Sequence, residues 1–360
     1  MVKPSRFITD LEPYKTTPQD VWSAGAPEDL LKLDWNESPF DFDFYRSELG
    51  RIANERGMIA WYPDCLALEL TDELSRFTSV DANLILTFPG SDVGLETLCR
   101  AFLDPADNVL AVCPTYENFF VYVLQTGAKL EKVDIIPPFI PDMAAIASSI
   151  EALGPAKVVY IARPNNPFGY MIAHDAIAEL AVRCPKTMII VDEAYIEFAN
   201  EPSCASLVER FPNVVVTRTF SKAFGMAGLR LGYICASLEV INTVNKIRNG
   251  KNISMLAQRL GLHALRNYVQ IAEWIAEVKV SRDRFAAWCG NYGLTCYPSH
   301  GNFILFKVGQ PNELCSALKA EGIYVRNRSS LLPGSVRVTL GSNRQTERLI
   351  ASLSKLHKYL

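Results

Sequence analysis

Six short runs of β-branched and other apolar residues alternate with segments long and amphipathic enough to be helices. No other feature constrains the fold of this chain so tightly. The runs are 83–88 (NLILTF), 108–112 (NVLAV), 157–162 (KVVYIA), 187–191 (TMIIV), 213–218 (NVVVTR) and 231–236 (LGYICA). Strand-helix alternation is the α/β pattern, so the chain is expected to form a mostly parallel sheet flanked by helices in a large domain. Runs this uniformly apolar predict strands buried on both faces. A helical pattern follows over about 253–288, and after it HGNFILFKV, GIYVRN and SVRVTL alternate more like a half-exposed sheet. A smaller α+β C-terminal domain is expected there. The division is an N-terminal arm over 1–38 packing with the small domain, a large domain over 39–250 and a small one over 251–360.

Composition narrows the partners. A chain of 360 residues, 49% hydrophobic and 21% charged, can bury a full core. Its net charge of −3 gives no basic footprint, which argues against nucleic acid or an anionic membrane and for a small-molecule partner. The opening MVKPSRFITDLEPYKTTPQD has no apolar signal core, and no run approaches the length of a membrane span. A cytoplasmic protein is expected. Nine cysteines without a C-x-x-C pair and four dispersed histidines suggest reduced, mostly buried thiols and no metal site.

In an open parallel sheet, ligands bind beyond the carboxyl ends of the strands. The unusual residues of this chain collect at those ends. After the first run, Gly90, Ser91 and Asp92 open a helix whose free N–H groups could hold a phosphate; alone, they read equally as an ordinary N-cap. Tyr116 in CPTYENF is a half-buried aromatic or a platform for a flat ring. Asn165 and Asn166 in RPNNPFG are explained by turn formation alone. Asp192, in VDEAYIEF, puts a carboxylate at the end of an apolar strand, where it is costly without a cationic partner, and Tyr195 follows it.

The fifth end is TFSKAFGMAGLR. An amine held there in a partly desolvated pocket has its pKa lowered, so that Lys222 could attack a carbonyl and form an imine. Thr219, Ser221 and Arg230 would supply donors for a phosphate. Each motif taken singly has a plain structural reading, a loop lysine among them. Together they ask for one ligand with an imine-forming carbonyl, a phosphate, a flat ring and a basic ring nitrogen facing a carboxylate, and pyridoxal phosphate has all four.

The ordered set PGSD, CPTY, PNNPFG, VDEAY and SKAFGMAGLR resembles the fold-type I, pyridoxal-phosphate-dependent aminotransferases (class I/II), and most of all the histidinol-phosphate aminotransferases. LDWNESPF resembles that family's NENP segment. The resemblance spans nearly the whole chain. It implies that Lys222 is the Schiff-base lysine and moves a proton between the substrate's Cα and the cofactor. It sets Asp192 against the protonated pyridine nitrogen, Asn166 and Tyr195 on the ring's phenolic oxygen, and Tyr116 on the ring face. Ser91, Asp92, Thr219, Ser221 and Arg230 would hold the phosphate. Tyr62, in WYPD, would reach the phosphate of a neighbouring subunit's cofactor, which implies a homodimer with shared sites. Asn36, Arg326 and Arg337 would contact substrate, with Tyr14 of the arm closing over the same group.

Three departures from the family pattern fall on the substrate side: Phe168 in place of Thr, Val93 in place of an acidic residue, and the tryptophan Trp35. They leave the amine open between histidinol phosphate and other phosphorylated amino alcohols. The expected reaction is amino transfer to a 2-oxo acid such as 2-oxoglutarate. A decarboxylase of phospho-amino acids would share every cofactor residue, and a non-catalytic sensor on this fold is the third reading.

Overall fold

In the computed structural model, residues 2–9, 11–12, 21, 30–38, 43–136, 139–152 and 156–360 are described. In chain order the strands are β1 (Leu31–Lys32), β2 (Ile85–Phe88), β3 (Asn108–Cys113), β4 (Lys129–Asp134), β5 (Val158–Ala162), β6 (Met188–Asp192) and β7 (Val214–Thr219). They continue as β8 (Gly232–Ala236), β9 (Cys296–Tyr297), β10 (Phe303–Lys307), β11 (Ile323–Tyr324), β12 (Arg326–Asn327) and β13 (Ser335–Thr339). Seven of these form the main sheet in the order β2-β8-β7-β6-β5-β3-β4. All pairings in it are parallel except the two made by β8. The link from β7 to β8 contains only the single 3-10 turn Ala227–Leu229 and no crossover helix, so β8 enters from the end at which β7 stops.

Side chains of period two divide the core into two layers. Val158, Tyr160, Ile190, Val215 and Ile234 pack on one face with the helices Gly90–Phe102, Asn118–Leu124 and Leu238–Asn245. Val159, Ile161, Ile189, Val191 and Val216 pack on the other with Leu68–Thr78, His174–Arg183 and Met255–Arg266. Both faces are covered, which is why the runs carry almost no polar residues.

A second sheet, β12-β13-β10-β9, is antiparallel throughout. Ile304, Phe306, Val336 and Val338 bury against Phe285 of the long helix Tyr268–Asn291 and against Leu349 and Leu353 of Asn343–Lys355. Phe303 and Leu305, the alternate residues of β10, join the core of the main sheet. Near the start of the chain, β1 pairs with β11, Leu31 opposite Ile323.

Three features depart from the sequence reading. Strand β4 was not anticipated: it is an edge strand, KLEKVD, whose exposed Lys129, Glu131, Lys132 and Asp134 break the apolar signal and blunt the sheet edge against pairing with other chains. Strand β8 reads as apolar as its neighbours yet runs antiparallel, because direction is set by the connection and leaves no mark on composition. The helical stretch expected over 253–288 is two helices, Met255–Arg266 and Tyr268–Asn291. At the break, Asn267 Nδ2 donates to the His263 carbonyl at 2.8 Å, the side-chain competition that makes asparagine a poor interior helix residue. All nine cysteines are unpaired and six are buried. No helix among the described residues is long and apolar enough to cross a membrane.

Candidate active site

A cavity of about 480 Å³ opens where the carboxyl ends of the main sheet meet the second sheet. Its lining brings together Ser91, Asp92, Tyr116, Asn166, Asp192, Tyr195, Thr219, Ser221, Lys222 and Arg230 with Arg326 and Arg337 of the second sheet. Lys222 is the one lysine among the lining residues. Its Nζ donates to the Trp35 carbonyl at 2.9 Å and lies 5.6 Å from the centre of the Tyr195 ring.

One end of the cavity is built to take an anion. The helix Gly90–Phe102 starts after Pro89 with no side chain capping its N–H groups, so its first amides and positive dipole end face the cavity unsatisfied. Thr219 Oγ1 donates to Ser221 Oγ at 3.0 Å and accepts from the Ser221 amide at 3.1 Å. Arg230 Nη1 reaches Ser221 Oγ at 3.4 Å, and Nη2 meets Asp92 Oδ2 at 3.5 Å. Two glycines permit this crowding. Gly90 has φ +81°, and a Cβ there would lie 2.7 Å from Arg230 Nη2; a Cβ on Gly232 would lie 2.5 Å from the Ser91 nitrogen.

The other end holds a buried carboxylate. Asp192 is only 5% exposed. Among its partners are Tyr160 Oη donating to Oδ2 at 2.7 Å, Thr217 Oγ1 to Oδ1 at 3.2 Å and the Ala194 amide to Oδ1 at 3.3 Å. Burial pushes its pKa up to about 6, with the nearby Asp92 adding to the rise and the three donors opposing it. The cationic partner that the sequence led us to expect is replaced, within the protein, by these neutral donors.

Between the two ends, Tyr195 Oη accepts from Asn36 Nδ2 at 3.1 Å and Asn166 Nδ2 at 3.4 Å. Asn36 has φ 55° and is fully buried, pinned by its amide to Thr339 Oγ1 at 3.0 Å and by its carbonyl to Asn302 Nδ2 at 3.1 Å. Tyr116 donates to Asp92 Oδ1 at 2.9 Å, and its own pKa is raised by burial. On the second sheet, Arg337 donates to Asn166 Oδ1 at 2.6 Å and to the Asp34 carbonyl at 2.8 Å. Arg326 stands directly opposite Arg337 across β12 and β13, and its Nη1 is buried with no hydrogen-bond partner among the described residues.

Tyr62 is not in this cavity. It is 76% exposed, with Lys251 Nζ 4.6 Å from its ring centre. Tyr14 lies outside the described residues. Four contributors went unnoticed in the sequence: Tyr160, Thr217, the Trp35 carbonyl and Arg328, which also lines the cavity. Arg328 had a usable signal, since it repeats Arg326 at the two-residue spacing of a strand face. Tyr160 had none, because a tyrosine in an apolar run reads as core.

A parallel sheet with one antiparallel strand, carrying one lysine, a buried carboxylate and an anion cradle at its strand ends, defines a fold-type I pyridoxal-phosphate enzyme. The donors suit the cofactor's phosphate, and the uncompensated carboxylate suits its ring nitrogen. The family model described as aminotransferase class I and II matches residues 28–353, and the chain belongs to that family. It is 31% identical over 359 residues to a dihydroxyacetone phosphate transaminase of Campylobacter jejuni, covering 98% of this chain and 97% of that protein. It is 32% identical over 336 residues to a histidinol-phosphate aminotransferase of a Geobacillus strain, covering 92% and 91%. The structure of the histidinol-phosphate aminotransferase of Sinorhizobium meliloti in complex with pyridoxal-5'-phosphate superposes with a TM-score of 0.88 at 23% identity, covering 99% and 98%. The chain is thus a pyridoxal-phosphate-dependent aminotransferase similar to the histidinol-phosphate enzymes.

Proposed function

We propose that this aminotransferase takes its amino group from a small phosphorylated amine, histidinol phosphate or another phosphorylated amino alcohol, and passes it to a 2-oxo acid such as 2-oxoglutarate. We assign it to the cytoplasm, as a homodimer. The observation that carries the substrate reading is the opposed pair Arg326 and Arg337 on the cavity wall, with Arg326 Nη1 buried and unpartnered among the described residues. Two guanidinium groups on one wall ask for a dianion, because a single carboxylate leaves a desolvated cation uncompensated. The names of the Campylobacter and Geobacillus relatives, though they differ in the carbon skeleton, share the phosphate.

The positions support the following roles. Pyridoxal phosphate, when bound, supplies an electron sink for the bonding pair released at the substrate's Cα. Lys222 Nζ takes the proton from that carbon and returns it on the cofactor side. Asp192 would balance the charge on the ring nitrogen, and Tyr195 and Asn166 would hydrogen-bond the ring's phenolic oxygen. Tyr116 would cover the ring. The helix-start amides of Ser91 and Asp92, with Thr219, Ser221 and Arg230, hold the cofactor's phosphate. Asn36 shapes the substrate side, where Arg326 and Arg337 hold the anionic end.

The test is a half-reaction screen that follows the bound cofactor's visible absorbance as amines are added. A phosphorylated amine is expected to react at least about tenfold better in kcat/KM than its unphosphorylated form, the effect of one charge-assisted contact. Arg326→Ala is expected to shrink that ratio while leaving unphosphorylated amines nearly unchanged. If aromatic or aliphatic amino acids react best and Arg326→Ala is silent, the phosphate reading fails. Carbon dioxide release without a 2-oxo acid would identify a decarboxylase instead.

A further inference from the structure

Asp192 is a carboxylate inside a sheet, and the groups that hold it there decide how it serves the cavity. A carboxylate offers about four acceptor sites. The Thr217 hydroxyl and the Ala194 amide share Oδ1 at 3.2 and 3.3 Å, while among the described residues Tyr160 alone takes Oδ2, at 2.7 Å, the shortest of the three. The remaining site is therefore the second one on Oδ2, beside the Tyr160 phenol. Tyr160 itself has little freedom. It is fully buried on β5, one strand over from Asp192, and its ring stacks on Phe119 with centroids 4.0 Å apart and planes at 12°. The charged and titratable groups around this pair are Asp92 and Tyr116 on the helix side and Tyr195, Lys222 and Arg230 across the cavity. No cation among the described residues forms an ion pair with Asp192.

We propose that Tyr160 is a positioning residue of the transamination: its phenol holds Asp192 Oδ2 so that the carboxylate stays ionised and keeps its last acceptor site open to the cofactor's ring nitrogen. The inference rests on the reading of Asp192 as the carboxylate that faces that nitrogen. A donor to the charged form lowers a carboxyl pKa, so removing the phenol hydroxyl raises it. In the cofactor-free chain burial already puts Asp192 near 6, and a lost hydrogen bond to a charged group corresponds to about one to two further pH units. Ionised Asp192 favours the cofactor. Affinity is thus lost as pH falls through the Asp192 pKa, and Tyr160→Phe moves that loss up toward neutrality.

The experiment is an equilibrium titration of the full-length, cofactor-stripped protein with pyridoxal phosphate, by fluorescence or absorbance, from pH 5 to 9. Tyr160→Phe is expected to shift the midpoint of the affinity profile upward by about one to two units, with binding at pH 7 weaker by about two- to tenfold. Phe119→Leu, which disturbs the stack and spares the hydrogen bond, is expected to keep the wild-type midpoint. Asp192→Asn is expected to bind weakly without that midpoint, and adding Tyr160→Phe to it is expected to change nothing more. An unshifted midpoint in Tyr160→Phe, or an equal shift in Phe119→Leu, overturns the inference about Tyr160. If Asp192→Asn follows the wild-type curve, the reading of Asp192 is what fails.

Discussion

Lys222 is held by the Trp35 carbonyl at 2.9 Å, inside a cavity that no other described lysine lines. Borohydride treatment of the loaded protein is therefore expected to fix the cofactor to Lys222, located by peptide mass spectrometry, and Lys222→Ala is expected to yield no adduct. An adduct on another lysine rejects the assignment. Asp192 makes a prediction of opposite sign for stability and for function. Its folded pKa near 6 exceeds the ordinary carboxyl value of 3.8, so between those values the folded chain binds more protons than the unfolded one. Stability of the cofactor-free protein from this residue therefore falls as pH rises from about 4 to about 6, by about 3 kcal/mol at most, and does not return above that. Asp192→Asn removes the buried charge. At pH 7 it is expected to leave the cofactor-free Tm unchanged or higher while slowing proton transfer at Cα by orders of magnitude. A lower Tm with near-normal turnover would show that the charge is structural.

At the scale of elements, the site is made by a close approach. Strand β8 begins at Gly232 against the first residues of the helix Gly90–Phe102, and a Cβ there would meet the Gly90 carbonyl carbon at 2.6 Å as well as the Ser91 nitrogen. Gly232→Ala is expected to push the helix start off the strand, costing about 1–3 kcal/mol of stability. It is also expected to weaken cofactor binding at least about tenfold, since the amides that face the phosphate move with the helix; a fluorescence titration reads the second effect separately from a melting curve. The strands around this point were legible because both faces of the sheet are covered, and uniform apolar runs such as VVYIA mark that environment directly. What sequence could not carry was geometry decided elsewhere. The direction of β8 depends on the missing crossover helix, β4 hid behind its edge charges, and Tyr160 takes its meaning only from its diagonal hydrogen bond to Asp192 on the neighbouring strand, whose register partner is Ala162. The lysine, carboxylate and arginines stood out because each is expensive where the pattern put it. A tyrosine in a core strand is not expensive, so nothing flagged it.

At the scale of the whole molecule, the proposed homodimer makes a prediction about Tyr62. It lies outside its own cavity and is 76% exposed, in a surface stretch with Ile59 at 96%, Trp61 at 61%, Leu66 at 57% and Leu68 at 58%. So many large apolar side chains in ten residues is the mark of an interaction surface. A two-fold dimer would bury the same patch on both copies, and each Tyr62 could then complete the anion cradle of the other's site. This arrangement has a kinetic signature. A chain carrying Tyr62→Ala keeps its own Lys222 but lacks the tyrosine it lends; a chain carrying Lys222→Ala lends an intact Tyr62 but cannot react. When the two are unfolded together and refolded, a mixed dimer holds one site complete in both residues and one deficient in both. Random pairing makes about half the dimers mixed, so recovered activity is expected near a quarter of the wild-type value, well above the sum of the parents. If Tyr62 acts within its own chain, no mixed dimer has a complete site and mixing recovers nothing. Light scattering on the unmixed protein provides the independent check, because a monomer at assay concentration would exclude a shared site whatever the activities show.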